Sequence, residues 1–403
     1  MEPGATAPTV ESDPRARLVI VFIDTGYKYD LEEAYGAKLR LLSRIGTGEV
    51  ITFGEAKVLP LGAFTVRSSH VLGSKFAMTL RSLATAWSAI RCLRRFDGRV
   101  DLIVAHDALT TGVLGAILSL AWRIPLAVEI NGDYTAWSNF AHIRIRWLRV
   151  ARRLIYQQIA AVVLMRARGV KTLFQRQAQN LGIRRSATRH ISAFPNFLEL
   201  NQFSNLGESK TVVIVGFPFV VKGVDIALAA FQRIAGRFPD WRMEVLGWYT
   251  GAEKQLLDSA IGDHPRIRHR DPIPRRDMPA YIGSAGIVVC ASRTEGFPRC
   301  IKEAMYAGKA CVVSDVGGLP DVIRDGLNGL MFRSEDEAGL SECLARLMSD
   351  PQLRHRLGAA AIEAAHLEFS EQQYLRHFAM FALGTIRASG RQDVPLLKPP
   401  GDG

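Results

Sequence analysis

The chain has 403 residues, 48% hydrophobic and 22% charged, which excludes a disordered polyelectrolyte and leaves material for two or three globular cores. Its net charge is +12 and the excess is one-sided: residues 1–200 hold 27 Lys and Arg against 15 Asp and Glu, and residues 201–403 hold 24 of each. A basic half beside a neutral half points to an anionic partner for the first half, a polyanion or a membrane surface.

Residues 1–16 are polar, with prolines and no signal-peptide core, and read as a disordered leader. Arg17–Ile23 (RLVIVFI) is a buried-type strand, with Gly26 opening the loop after it. Apolar residues at Leu31, Tyr35, Leu39 and Leu42 predict a helix over residues 31–44, and Val50–Phe53 a second strand. Asp101–Ala105 is a strand that delivers His106 and Asp107 at its carboxyl end. Thr110–Trp122 and Leu154–Met165 are too short to span a bilayer, and the first predicts a buried helix. Leu126–Ile130 (LAVEI) runs into Asn131-Gly132, a turn dipeptide whose amide can bond a hydroxyl but cannot titrate. Val170–Phe174 and His190–Ser192 complete a doubly wound α/β domain over residues 17–200.

Two stretches of that domain interleave arginine with tryptophan and aliphatic residues. Residues 142–168 carry Arg144, Arg146, Arg149, Arg152 and Arg153 among Ile143, Ile145, Trp147, Leu148 and Val150; residues 67–95 carry Lys75, Arg81, Arg91, Arg94 and Arg95 among Phe76, Leu80, Trp87 and Leu93. This pattern suits an anionic membrane surface, and the competing reading is the charged outer face of an ordinary α/β helix. No nucleic-acid motif accompanies it, so nucleic acid is not an expected partner.

Residues 194–210 are aperiodic and read as a linker. A second α/β domain follows over residues 201–370, with strands at Thr211–Gly216, Arg242–Gly247 and Arg266–Arg270 and helices at 336–349 and 351–368. Glu371–Ile386, capped by Ser370, is a last helix within residues 371–387, and residues 388–403 read as a disordered tail. The five cysteines (Cys92, Cys290, Cys300, Cys311, Cys343) show no metal-ligand spacing and read as reduced core thiols.

The most informative stretch is Ser284–Phe332. A buried strand (GIVVCAS), the loop RTEGFPR, a helix (CIKEAMYAGK), a second strand (ACVVS) and the turn DVGGLPD make a parallel βαβ unit. Ligands of such sheets lie beyond the carboxyl ends of the strands. Free N–H groups at the helix start, near Phe297 to Ile301, form an anion site, while Glu295 and Glu303 suit hydroxyls. A nucleoside-diphosphate sugar offers both. For an isolated pair of acids the plain alternative is a helix N-terminal charge and a solvated face. Lys222-Gly223, after the strand TVVIVG, adds a cation beside a helix start.

The run EGFPRCIKEAMYAGKACVVSDVGGLPDVIRDGLNGLMF resembles the donor-site signature of the retaining GT-B glycosyltransferases of the large family four. That resemblance implies an α/β fold of two Rossmann-like domains facing a cleft, with a last helix crossing back to the first domain. It implies that Glu295 contacts donor-sugar hydroxyls, that Glu303 contacts the ribose, and that Lys222, Gly296, Phe297, Pro298 and Arg299 surround the diphosphate. Gly26, Gly247 and Ile273 fall at the family's donor-binding backbone, and Asn131 and His106 at its reacting-sugar positions. It implies no cofactor and no metal, a nucleotide sugar as donor, and a saccharide or lipid-linked acceptor of cell-surface polysaccharide synthesis on the first domain. The expected location is cytoplasmic, peripheral at the inner face of the membrane. Three residues depart from the pattern. Phe217 stands where the family has a diphosphate-binding Arg, Pro298 where it often has Gly, and Asn131 where it often has His. Arg299 and Arg293 are candidates to replace the missing cation. The departures keep a second reading open, a catalytically weakened member acting as a binding or scaffold subunit.

Overall fold

The structure, a computed structural model, describes residues 17–24, 31–53, 57–69, 87–96, 99–132, 145–183 and 189–391. The expected leader, most of the expected tail, Gly26 and residues 70–86 and 142–144 of the basic stretches lie outside the described residues.

Short apolar runs that alternate with amphipathic segments give two parallel sheets. The first sheet holds β1 (Leu18–Ile23), β2 (Gly46–Phe53), β3 (Lys57–Leu61), β4 (Phe64–Ser69), β5 (Leu102–Ala105), β6 (Leu126–Glu129), β7 (Gly169–Thr172) and β8 (His190–Ala193). Its order is β3-β4-β2-β1-β5-β6-β7-β8, and the β3–β4 hairpin is its antiparallel edge. Around it lie α1 (Leu31–Leu42), α2 (Thr110–Trp122), α3 (Arg146–Arg166) and α4 (Gln175–Asn180), with a further helical stretch over residues 87–95.

The second sheet holds β9 (Thr211–Val215), β10 (Arg242–Leu246), β11 (Ile267–Arg270), β12 (Ile287–Cys290), β13 (Ala310–Ser314) and β14 (Leu330–Phe332), in the order β11-β10-β9-β12-β13-β14, all parallel. Its helices are α5 (Val224–Ala235), α6 (Gly251–Ile261), α7 (Met278–Gly283), α8 (Arg299–Tyr306), α9 (Leu319–Val322), α10 (Glu337–Ser349) and α11 (Pro351–Phe369). In each sheet the order reverses beside the first strand, β1 or β9, and the crevice at such a reversal is where α/β folds bind ligands.

The last helix, α12 (Glu371–Ala388), starts at a Ser370 cap whose hydroxyl accepts the Gln373 N–H. It leaves the second domain and packs on the first sheet: Tyr374, Leu375, Phe378, Phe381 and Ile386 join one core with Leu18, Ile20 and Phe22 of β1 and Leu39 of α1.

Two expectations need correction. The helix α2 is buried on one face only. Only its Gly112 and Gly115 side pack inward, while Val113, Ile117 and Leu120 face outward, because a sheet layer covers one face of a helix only. The second strand begins at Gly46, four residues before the apolar run, since parallel pairing to β1 recruits Gly46 to Glu49. Among the described residues no helix is long and apolar enough to cross a membrane.

Candidate functional site

The carboxyl ends of both sheets face one cavity of about 750 Å³. On the second-domain side it is lined by Ile273, Arg275, Phe297, Arg299, Lys302 and Glu303. On the first-domain side it is lined by Asp24, Tyr35, Lys38, His106 and Glu129. Of the predicted residues, it therefore brings together His106, Ile273, Phe297, Arg299 and Glu303. A neighbouring cavity of about 430 Å³ takes Glu295 and Gly296 with Gly132 and Gly317.

Loop geometry explains why the signature residues sit where they do. Gly223 precedes α5 with φ +62, and a Cβ there would fall 1.8 Å from the Ala291 carbonyl oxygen. Only glycine admits that left-handed turn and that approach, and together they bring Lys222 onto the end of β12. Gly317, at φ +61, lets the DVGG turn press on the Glu295 carbonyl, where a Cβ would come within 2.1 Å. The next residue, Gly318, donates its N–H to the Gly296 carbonyl at 2.8 Å. The two loops of the βαβ unit thus brace each other.

Lys222 Nζ and Glu295 Oε1 form an ion pair, and Ser292 Oγ donates to the same carboxylate oxygen at 3.0 Å. Burial pushes the Lys222 ammonium down, and the Glu295 carboxylate outweighs it and holds the pKa above the usual lysine value. The pair is a charged handle at the strand ends, already neutralised internally. Glu303, on the inner face of α8, is 7% exposed, and burial raises its carboxyl above the usual range, opposed by Arg299 and Arg275. Beside it Lys302 is 3% exposed; it donates to the Asn196 carbonyl at 2.9 Å, and burial, with Arg299 and Lys171 adding to it, pulls its pKa down to about 7.

Arg293 lines the smaller cavity with Glu295 and is held there by carboxylates. Its guanidinium is clamped on Asp225 at 2.8 Å and on Glu335 at 2.7 Å, since it closes the loop over the start of α5. Arg299 lines the main cavity instead. Phe217 is 54% exposed and packs edge-on to Tyr249, whose hydroxyl donates to the Gly216 carbonyl. Gly247 lies beneath that ring, with no room for a Cβ between Tyr249 and the Gly216 carbonyl. Pro298 is the extended residue from which α8 starts.

On the first domain, Asn131 is a connector. Its amide nitrogen donates to the His106 carbonyl at 2.9 Å and lies 3.3 Å from His106 Nε2, and its oxygen accepts from Asn196 at 2.8 Å. That fixes the amide, so in the neutral ring Nε2 accepts and Nδ1–H points at Asp24 and Glu129, each 3.6 Å away. Burial lowers the His106 pKa, but these two carboxylates outweigh it and raise it. Burial likewise pushes the Glu129 carboxyl up, and Lys38, Lys171 and His106 hold it far below the usual range.

Asp24, Tyr35, Lys38, Glu129 and Lys302 were not singled out by sequence pattern. The available signal was the charge inside apolar runs: Glu129 in LAVEI, Lys302 on the inner face of CIKEAM. A charge at a position that the pattern buries marks a functional group or a network. Among the described residues no group of three or more His, Cys, Asp or Glu is arranged to hold a metal ion.

Two protein families match consecutive parts of the chain: "Glycosyl transferase 4-like domain" over residues 49–189 and "Glycosyl transferases group 1" over residues 198–364. The D-inositol 3-phosphate glycosyltransferase of Corynebacterium efficiens is 31% identical over 329 residues, covering 72% of this chain and 73% of the relative. The chain belongs to the group 1 glycosyltransferases. A protein of the same description from Thermobifida fusca is 28% identical over 202 residues, a match that spans 45% of this glycosyltransferase and 46% of that relative. In three dimensions the glycosyltransferase is similar to sucrose-phosphate synthase from Thermosynechococcus elongatus, with TM-score 0.73 at 16% identity over 92% of this chain and 100% of the other. Anabaena HepE, solved with UDP-glucose, gives TM-score 0.68 at 17% identity over 90% and 98%. Both likenesses establish the two-domain GT-B fold.

Proposed function

We propose that this glycosyltransferase moves a hexose, with retention of configuration, from a nucleoside-diphosphate sugar to a saccharide acceptor, lipid-linked, in the synthesis of a cell-surface polysaccharide. The observation that carries this reading is the cavity that joins Glu303, Arg299 and Ile273 on one sheet to a polar wall on the other. The nucleotide lies on the second domain: the base against Ile273, the ribose hydroxyls on Glu303, and the diphosphate near Arg299, Lys222 and the N-terminus of α8. Bound UDP in HepE supports a uridine nucleotide. Cations and helix N–H groups offset the charge that develops on the leaving diphosphate, which needs no resident metal. Glu295 turns from Lys222 to the donor-sugar hydroxyls once the diphosphate claims the ammonium. Asn131 and His106 border the reacting sugar.

The test is calorimetric titration with UDP and a transfer assay. Glu303→Ala should weaken UDP binding by about 1.5–3 kcal/mol, the cost of losing hydrogen bonds to a charged acceptor, and Lys222→Ala should abolish turnover because Phe217 leaves few cations on the diphosphate. A folded Glu303→Ala variant with wild-type UDP affinity refutes the nucleotide assignment. The exposed Phe217 favours the binding-subunit reading, and wild-type protein that binds UDP yet neither hydrolyses nor transfers any nucleotide sugar establishes it.

A further inference from the structure

The chain crosses from one sheet to the other twice, after β8 and again into α12, and Lys302 touches both crossings. Its ammonium donates to the Asn196 carbonyl at 2.9 Å and lies 5.8 Å from the centre of the Phe369 ring. Lys171, on β7 and fully buried, reaches the same residue from the first sheet. Its Nζ donates to Asn196 Oδ1 at 2.6 Å, with the centre of the Phe194 ring 4.9 Å away. The other end of the Asn196 amide donates to Asn131 Oδ1 at 2.8 Å, and Asn131 in turn donates to the His106 carbonyl at 2.9 Å. Asn196 is thus an exposed residue on the wall of the main cavity whose carbonyl and both amide ends are engaged.

An amide suits this position because an ammonium needs an acceptor while Asn131 Oδ1 needs a donor. A carboxylate would serve the lysine and oppose Asn131. Bringing two buried ammonium groups, one from each domain, onto one residue carries a desolvation cost that apolar side chains would avoid. What the polar joint adds is a fixed geometry. The same helix α8 carries Glu303 beside Lys302 and Arg299 one turn before it. We propose that Asn196 is a positioning residue of the transfer reaction: acting through Asn131, it holds His106 in register with α8 and so aligns the bound donor with the groups that border the reacting sugar, without adding to donor affinity. This inference rests on the glycosyltransferase reading above. The residues given to the nucleotide, Lys222, Ile273, Arg299 and Glu303, all belong to the second domain, so UDP stays bound when the joint is loosened. His106 and Asn131 belong to the first, and a displacement of about 1 Å between the two sets costs roughly a hundredfold in rate.

The experiment uses the full chain and three measurements. These are UDP affinity by calorimetry, hydrolysis of the UDP-sugar that wild-type protein turns over fastest (which needs no acceptor), and the His106 ring signals by NMR, assigned by their loss in His106→Gln. Asn196→Ala should lower kcat tenfold or more, move the His106 signals, and leave the UDP dissociation constant within threefold of wild type. Asn196→Asp keeps an acceptor for Lys171 but no donor for Asn131; it should lose kcat as Asn196→Ala does, which a residue that only supports the fold would not show. Asn131→Ala combined with Asn196→Ala should lose no more than Asn131→Ala alone, because the two act in series. If Asn196→Ala does not fold by circular dichroism, Asn196→Asp carries the comparison. Wild-type kcat in Asn196→Asp, UDP affinity that falls along with kcat in folded Asn196→Ala, losses that multiply in the double variant, or unmoved His106 signals each overturn the proposal. Wild-type protein that neither binds UDP nor turns over a UDP-sugar overturns the glycosyltransferase reading instead, and the His106 signals then still decide whether Asn196 acts on the ring.

Discussion

Lys302 sits on a helix face whose neighbours Cys300, Ile301, Ala304 and Met305 are all buried. Its pKa of about 7 has a cost that depends on pH. Between about pH 7 and the ordinary lysine value the unfolded chain binds a proton that the folded chain lacks, so stability rises with pH across that window and the burial cost is fully present below it. Replacing Lys302 by Met removes the term. The variant should gain stability over wild type at pH 6, and the gain should shrink by on the order of 3 kcal/mol by pH 9.5. Urea denaturation at the two pH values checks this, and an equal difference at both shows that the lysine stays charged. At this scale Glu295, Glu303 and Lys222 were legible as candidates, because they stand in loops and near helix starts with a recognisable spacing. Lys302, Glu129 and Asp24 were not, because a buried charge inside an apolar run means nothing until the partner strand that faces it is known.

The helix α3 shows how little of an element's environment its own sequence reveals. Only Val163 of its 21 residues is buried, against Gly112 of α2. Its Trp147, Leu154, Ile155, Val162 and Met165 are exposed, as are Val113, Ile117 and Leu120 of α2. The helix carries five arginines and no acid, and Trp87 stacks on Arg91 in the helical stretch beyond. This combination motivates the proposal that the first domain docks on anionic lipid through residues 67–95 and 142–168. Each arginine near such a surface is worth about 1 kcal/mol and is screened by salt. Replacing Arg146, Arg149, Arg152 and Arg153 by Gln should release the protein from anionic vesicles at low salt and leave UDP binding intact. Ile117→Ser with Leu120→Ser should weaken the part of binding that survives high salt. Wild-type protein that stays in the supernatant with anionic vesicles at low salt defeats both. The start of α5 supplies a stability test of a different kind. Gly223→Ala forces a Cβ against the Ala291 carbonyl and should cost at least about 2 kcal/mol, read as a lower melting temperature and weaker UDP binding.

At the scale of the molecule the alternation of apolar runs and amphipathic stretches was enough to foresee two parallel sheets, because parallel strands are buried on both faces. The β3–β4 edge was missed. Lys57–Leu61 holds a proline and three exposed residues, so it has no buried-strand pattern, and the Gly62–Ala63 turn is the only local cue. Neither sheet's strand order is written in any one segment; it follows from which surfaces the helices cover. Joining the two halves is the task of α12. Phe378 is fully buried between Phe22, Tyr374 and Phe381. Phe378→Ala should cost about 3–5 kcal/mol, and in urea the loss should appear in the first domain while the second keeps its transition.

The route of α12 also sets an order of events at the ribosome. Residues 211–369 contain every strand of the second sheet and can close its core as soon as they emerge. The first sheet is made earlier but its core lacks Tyr374, Leu375, Phe378, Phe381 and Ile386 until the last stretch leaves the exit tunnel. At roughly 5–20 residues per second, the half that is translated first waits on the order of ten seconds with one face of β1 uncovered. Its apolar surface is a target for chaperones during that interval, and a nascent chain that has exposed residues up to 369 but still holds α12 in the tunnel should present a folded second domain behind an unfinished first.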